Sequence, residues 1–558
     1  MTFMSGKQAF LALLRQEGVR YIFGNPGTTE LPLMDALAAE TGIRYVLGLQ
    51  EAAVVAMADG YAQASGELAV VNVHVAPGLG NALGMLYDAQ KAGAPLLVTA
   101  GQHDQSFNFT EPILWADLPP MARPLVKWAG EVRRLGDLPR AVHRAAKTAL
   151  AAPTGPVFLS LPADVLNAEG EVELGGPTRV APRVRGDRAA LEAAADLLAS
   201  AERPIIMAGD AVARGDAHAE LVRVAELIGA PVWAEAIPNT ASFPASHPLF
   251  RGTLLRQAPV IRQVLEEADL LFSVGADLLT MSLPSDVDPV PPELAIVHLD
   301  SDPWELGKNY PARVAIMGDP KATLPELAFE IESRLTPERR ERARERLEAT
   351  RGATIRHREE LVARARAEAL RVPITPLALM HAVATALPPE AVVIDETISS
   401  GAGLRTFLRS DDPKSFFGLR GGGIGWGLPA AIGVKLALPD RPVVGLIGDG
   451  SAMYTAQALW TAAHENVPVV WVILNNGSYR ILKQRIHALK GLAVEHDRYV
   501  GLDLDRPRVD FVGLARSLGA AAERVEKAGD VGPALTRALD RQGPALIDVE
   551  LDGSFKPV

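Results

Sequence analysis

Two apolar runs near the C-terminal end constrain this chain more than any other feature. Residues 443–447 lead into Gly448-Asp449-Gly450-Ser451, and residues 467–474 lead into Asn475-Asn476-Gly477-Ser478. The segment between them, 454–464, has the length of about three helical turns. A β-α-β unit with its right-handed crossover carries both strand ends to the same edge of a parallel sheet. Asp449 and Asn476, 27 residues apart, are therefore expected to meet where α/β proteins bind their ligands. An Asp carboxylate, an Asn amide oxygen and the Ser478 carbonyl form a hard-oxygen set suited to Mg²⁺ or Ca²⁺. The glycines permit close backbone approach, and the segment after Asp449 offers free N–H groups to an anion.

The same alternation of short β-branched runs and longer amphipathic stretches fills the rest of the chain, predicting three successive parallel-sheet α/β domains. Strands are expected at 68–74, 95–100 and 156–161, with helices at 50–64 and 79–91. A polar, Gly- and Pro-rich passage over 167–187 reads as a linker, after which strands recur at 204–208, 231–234, 270–274 and 295–299. An Arg- and Glu-dense stretch over 337–371 reads as an exposed helical connector. Further strands at 391–395, 442–447, 467–474 and 545–551 complete the pattern. The expected division is an N-terminal domain over 1–170, a central domain over 187–335, the connector over 336–372 and a C-terminal domain over 373–558.

With 558 residues the chain is too long for one core. Its 56 basic and 67 acidic residues leave a net charge of −11, which argues against nucleic acid or anionic membrane as partners. The absence of cysteine removes disulfides, thiolate nucleophiles and Cys-ligated metals. No run approaches the roughly 18 apolar residues of a membrane span, and nothing near Met1 has signal-peptide character. A cytoplasmic enzyme is expected.

Gly448-Asp449-Gly450 followed by Asn476 resembles the metal and diphosphate motif of thiamine-diphosphate-dependent enzymes. The resemblance implies a divalent metal held by Asp449, Asn476 and the Ser478 carbonyl, with diphosphate contacts from Gly450, Ser451 and Tyr454. It implies further that the loop Gly421-Gly422-Gly423-Ile424-Gly425 bends the cofactor, Ile424 wedging between its rings and the Gly422 carbonyl accepting from the pyrimidine. Ser399 matches a polar contact near the diphosphate. Such enzymes need a glutamate against the aminopyrimidine ring, at a strand-to-helix junction with apolar neighbours. Glu51, in Leu49-Gln50-Glu51-Ala52-Ala53, matches that position.

Within the family the chain is most similar to the benzoylformate decarboxylase type. The loop Gly24-Asn25-Pro26-Gly27-Thr28 resembles that enzyme's N-terminal active-site loop, with Thr28 in place of a serine. The segment Asn72-Val73-His74-Val75-Ala76-Pro77-Gly78 resembles the one bearing a catalytic histidine, here His74. Two departures stand out. The stretch 275–282 offers only Ser282 where a second histidine belongs, and Arg485 stands near the place of an aromatic residue. Arg485 reads either as a solvated helix charge or as an inward cation favouring a substrate with a second anionic group. His103 is a candidate replacement proton donor, and Ile113 and Leu114 are candidates for apolar walls.

The resemblance thus implies thiamine diphosphate and Mg²⁺ chemistry: non-oxidative decarboxylation of a small-molecule 2-oxo acid to an aldehyde and CO₂, with carboligation as a side reaction. It also implies a homodimer at minimum and a homotetramer as the expected assembly. Two alternatives stay open, an acetolactate-synthase-like carboligase and a flavin-dependent 2-oxo acid oxidase with FAD in the central domain. A dinucleotide-binding protein outside the family is disfavoured, because no strand–GxGxxG–helix unit is present.

Overall fold

A computed structural model of the chain describes residues 1–235, 240–281 and 283–555. Three six-stranded sheets, all parallel, follow one another along the chain as the sequence predicts. The N-terminal sheet runs, in spatial order, Arg44–Leu47, Tyr21–Gly24, Ala69–Val73, Leu96–Gln102, Val157–Pro162 and Ala129–Glu131. The central sheet runs Phe250–Thr253, Val232–Ala234, Pro204–Ala208, Leu270–Val274, Ala295–Asp300 and Val314–Met317. The C-terminal sheet runs Phe416–Gly418, Val392–Glu396, Val443–Gly448, Val470–Asn475, Ala545–Glu550 and Ala521–Val525.

Numbered within each sheet, the first and third share the order 2-1-3-4-6-5, whereas the central sheet has the order 3-2-1-4-5-6. In every case the order reverses beside the first strand, which opens a crevice at the strand C-termini. In the outer sheets that crevice lies between strands one and three, which are Tyr21–Gly24 and Ala69–Val73, or Val392–Glu396 and Val443–Gly448.

The apolar runs form these strands because both faces are covered: Val70, Val71, Val444, Val472 and Ile473 are fully buried. Several short strands escape the sequence reading. Tyr21–Gly24, Ala129–Glu131 and Phe416–Gly418 have only three or four residues, whereas the short strand read just before Glu51 is Arg44–Leu47. The passage read as a linker is structured at its start, where Glu169–Val172 pairs antiparallel with Thr2–Ser5. Residues 173–187 then carry no regular structure and are largely exposed. The Arg-rich stretch is one 32-residue helix, Pro337–Glu368, capped by Thr336, whose hydroxyl accepts from Arg339 N–H. It braces the central domain through Arg346, which donates to the Ile228 carbonyl at 2.6 Å.

The outer domains are joined by two helices, Glu51–Ser65 and Gly427–Ala437, that cross with their backbones nearly touching. A Cβ at Gly433 would stand 1.9 Å from the Met57 carbonyl oxygen, and one at Gly60 would stand 2.4 Å from that of Ala430. Only hydrogen fits at either position. Trp426, just before the second helix, reaches across to donate its indole N–H to Asp59 at 2.7 Å.

Candidate active site

The first cluster of candidate residues sits in the crevice of the N-terminal sheet. Glu51 is the first residue of its helix, is 7% exposed and follows Gln50, whose side chain caps Ala53 N–H. Two amides hold its carboxylate: Asn25 donates to Oε1 at 3.2 Å and Asn81 to Oε2 at 3.0 Å. His74 ends the adjacent strand, and Gly78 lies against both Glu51 and His74. The helix after His74 begins at Val75, four residues earlier than the sequence reading, and Val75 adopts φ +42°. A buried β-branched residue in that region stores strain of about 1–3 kcal/mol, which the surrounding packing must hold.

His74 is anchored by a residue that sequence reasoning missed. Glu30, 1% exposed, accepts from His74 Nδ1 at 2.7 Å, from Gly27 N–H at 2.9 Å and from Gly101 N–H at 2.7 Å. The Thr29 hydroxyl donates to Glu30 at 2.9 Å and stands 3.2 Å from His74 Nδ1. A carboxylate partner places the ring proton on Nδ1 and leaves Nε2 free for chemistry. Thr28 is exposed at the mouth of this crevice, and among the described residues its hydroxyl makes no hydrogen bond. The hydroxyl beside the histidine is that of Thr29.

The second cluster lies at the C-terminal ends of the third and fourth strands of the C-terminal sheet, beside the matching crevice. Asp449 follows its third strand directly and is largely buried. Its Oδ2 accepts from Gly477 N–H at 2.7 Å and its Oδ1 from Gly450 N–H at 2.9 Å, so the two strand ends meet. Burial pushes the Asp449 carboxyl up to about 6, against the lowering effect of the backbone N–H donors and of Arg508. Asn476 Oδ1 accepts from the amide and hydroxyl of Ser478. Ser451 lies beside Glu396, and the Tyr479 ring lies against Gly450 with its hydroxyl bonded to Tyr454. Ser399 is half-buried behind Ile398, whose φ is +52°, and its carbonyl accepts from Arg480 at 2.9 Å.

One prediction fails here. Residues 454–464 are not a single helix; a short turn, Asp449–Ala452, precedes a helix over Ala458–His464. The break arises because the Thr455 hydroxyl donates to the Gly425 carbonyl at 2.6 Å, drawing this segment onto the glycine loop. Tyr454 is therefore an exposed loop residue. In the glycine loop, Gly422 has φ +89° and Gly425 φ +104°, while Ile424 is half-buried. Glu396 fastens the loop by accepting from Gly425 N–H at 2.6 Å and Gly427 N–H at 2.5 Å.

The remaining candidates are scattered. His103 sits on an exposed loop, where its Nε2 bonds the Ile113 carbonyl at 2.9 Å. Ile113 is 84% exposed and Leu114 is also exposed, so within one chain they wall nothing. Arg485 is half-buried on the helix Arg480–Ala488, with no ion pair among the described residues and Arg256 as an electrostatic neighbour. It is thus neither a fully solvated charge nor a neutralised one. Ser282 lies outside the described residues. Two cavities, of about 770 and 750 Å³, are lined by none of the candidate residues. The candidates instead line open sheet edges.

The donor set fits a divalent cation that completes its shell from a ligand. No group of three or more His, Cys, Asp or Glu among the described residues is arranged to hold a metal ion by itself, and Asp449 is the single carboxylate in an otherwise neutral oxygen set. One carboxylate with amide and carbonyl oxygens suits Mg²⁺ shared with phosphate oxygens. The buried N–H groups of the Asp449–Ala452 turn suit the phosphates themselves.

With sheets, crevices and donor set in place, the chain belongs to the thiamine-pyrophosphate-dependent enzymes. It matches the N-terminal TPP-binding domain over residues 4–111, the central domain over 191–327 and the C-terminal TPP-binding domain over 400–549. Among its relatives is the benzoylformate decarboxylase of Pseudomonas aeruginosa, 34% identical over 96% of this chain and 97% of that one. An acetolactate synthase of Mycobacterium bovis is 31% identical over 98% of this chain and 88% of its own length. Among solved structures, the thiamine-diphosphate-dependent 4-hydroxybenzoylformate decarboxylase of Rhodococcus jostii RHA1 superposes with a TM-score of 0.86 at 33% identity, covering 99% of this chain and 100% of that one. No helix among the described residues is long and apolar enough to cross a membrane.

Proposed function

We propose that this enzyme decarboxylates a 2-oxo acid to an aldehyde and CO₂ without oxidation, using thiamine diphosphate and Mg²⁺. The observation that carries the reading is the anchored histidine: His74, fixed by Glu30 beside Glu51, presents a free Nε2 where a proton must be delivered. Asp449, Asn476 and the Ser478 carbonyl would hold the metal, and the Asp449–Ala452 turn the diphosphate. The bound cofactor supplies the electron sink that lets CO₂ depart. Glu51, held by two amide donors, would hold or accept a proton at its carboxyl group beside the bound cofactor. His74 holds or returns a proton at Nε2. The two crevices lie on separate sheets, and no hydrogen bond among the described residues links Glu51 to the Asp449 cluster. The site therefore suits completion by the N-terminal domain of a second subunit, in a dimer or tetramer.

The acetolactate synthase relatives favour one alternative, in which a second carbonyl compound rather than a proton captures the decarboxylated product. Incubating aromatic, branched and dicarboxylic 2-oxo acids with the enzyme, thiamine diphosphate and Mg²⁺ tests both. Free aldehyde with stoichiometric CO₂ is expected. Acyloin without free aldehyde would favour the carboligase, and no CO₂ from any acid would end the decarboxylase reading.

Glu30 supplies a further test. Glu30→Gln replaces the carboxylate with an amide whose NH₂ can face Nδ1, favouring the wrong tautomer. Turnover is expected to fall about 10²-fold, within the usual worth of positioned acid–base groups, with cofactor affinity unchanged. Unchanged kcat in steady-state kinetics would remove Glu30 from this role.

A further inference from the structure

One more buried acid belongs to neither crevice and is not used above. Asp88, on the helix Val75–Ala92 of the N-terminal domain, is 1% exposed and lies beneath the glycine loop of the C-terminal domain. Its Oδ1 accepts from Gly423 N–H at 3.0 Å, whereas its Oδ2 is buried with no partner. The loop is fitted around it. A Cβ at Gly421 would come within 2.0 Å of the carboxyl, and one at Gly423 within 2.7 Å, so both glycines are needed for this contact. Between them stands Gly422, whose carbonyl faces the cofactor in the reading above, and Ile424 follows.

We propose that Asp88 is a positioning residue for cofactor binding, its carboxyl group seating the loop Gly421–Gly425 at the height that thiamine diphosphate requires. The inference rests on the cofactor reading of that loop. Several charged groups lie around Asp88. Asp59 of the helix Glu51–Ser65 and Glu396 at the end of the first C-terminal strand both oppose its ionisation. Lys91, three residues along the Asp88 helix, lies over the Tyr87 ring. Arg420 at the start of the loop is ion-paired to Asp210, Glu235 and Asp277. Burial, reinforced by Asp59 and Glu396, pushes the Asp88 carboxyl up to about 8. The proton is held below that value and lost above it. A carboxylate there would be an unpaired buried charge, relieved by moving the loop away.

Titration calorimetry with thiamine diphosphate and Mg²⁺ at several pH values tests the inference without relying on turnover. The wild type is expected to bind at pH 7 and to lose about tenfold in affinity by roughly one unit above the Asp88 value. Asp88→Asn keeps the shape and stays neutral. It should bind within about threefold of wild type at pH 7, and the alkaline loss should flatten. Asp88→Ala removes the seat and should weaken binding at least tenfold. The inference is overturned if Asp88→Ala binds as wild type does, or if Asp88→Asn retains the full alkaline loss. Should the alanine variant fold poorly, the asparagine comparison decides alone. Failure of the wild type to bind at any pH would instead overturn the cofactor reading, and this inference with it.

Discussion

Replacing Glu51 with glutamine is expected to reduce turnover by at least about 10²-fold, because the change deletes the ionisable oxygen from a proton-transfer position. The substitution is nearly isosteric. Asn25 and Asn81 each donate to one carboxylate oxygen, so one of them would lose its acceptor and face an NH₂ group. That local loss should cost about 1–3 kcal/mol, too little to unfold a chain with cores this extensive. The expected signature is therefore a collapse of kcat with thermal unfolding shifted by only a few degrees and cofactor affinity largely kept. Steady-state kinetics beside a melting curve would show it. Near-normal turnover would free Glu51 from the proposed role.

The second large effect is expected at Asp449. Asp449→Asn keeps an oxygen able to accept from Gly477 N–H but removes the only carboxylate from the oxygen set. Without that charge the remaining amide and carbonyl oxygens bind Mg²⁺ poorly, since hard divalent cations depend on at least one carboxylate. Affinity for thiamine diphosphate measured with Mg²⁺ should fall at least about 10²-fold, corresponding to roughly 3 kcal/mol. In the cofactor-free protein the asparagine NH₂ would face Gly450 N–H, a loss of about 1–3 kcal/mol. This is set against removal of a buried group that resists ionisation, so thermal unfolding should shift by only a few degrees. Asparagine binding the cofactor as tightly as wild type, with the same Mg²⁺ dependence, would show that the metal sits elsewhere.

The Asp449 and Asn476 neighbourhood was legible in the sequence because it is local. Two strongly apolar strands, one connecting helix and two glycine turns leave little freedom, and the right-handed crossover supplies the rest. Glu51 was legible because the start of a helix after a short strand places a side chain at a sheet edge. Glu30 and Asp88 were not. Glu30 reads as an ordinary acid in a turn, and the partners that bury it, Gly101 and His74, lie 71 and 44 residues away. Asp88 looks like a polar residue on an amphipathic helix, and its partner Gly423 is 335 residues distant. Likewise, nothing between Tyr454 and His464 announces the Thr455 bond that breaks the helix. His103, Ile113 and Leu114 lie on a loop whose surroundings no periodicity describes.

The glycine-to-backbone crossing of Glu51–Ser65 with Gly427–Ala437 has a consequence for the covalent chain itself. Residues 175–185 are exposed and irregular, and a protease would reach them readily. Yet the N-terminal fragment so released would still be clasped by Trp426 through Asp59, by Thr461 donating to the Leu47 carbonyl at 3.0 Å, and by the Arg44–Glu465 ion pair. Cleavage there should yield a nicked protein that stays whole in solution. The gene could accordingly be divided at this point and its two products expressed side by side to reassemble.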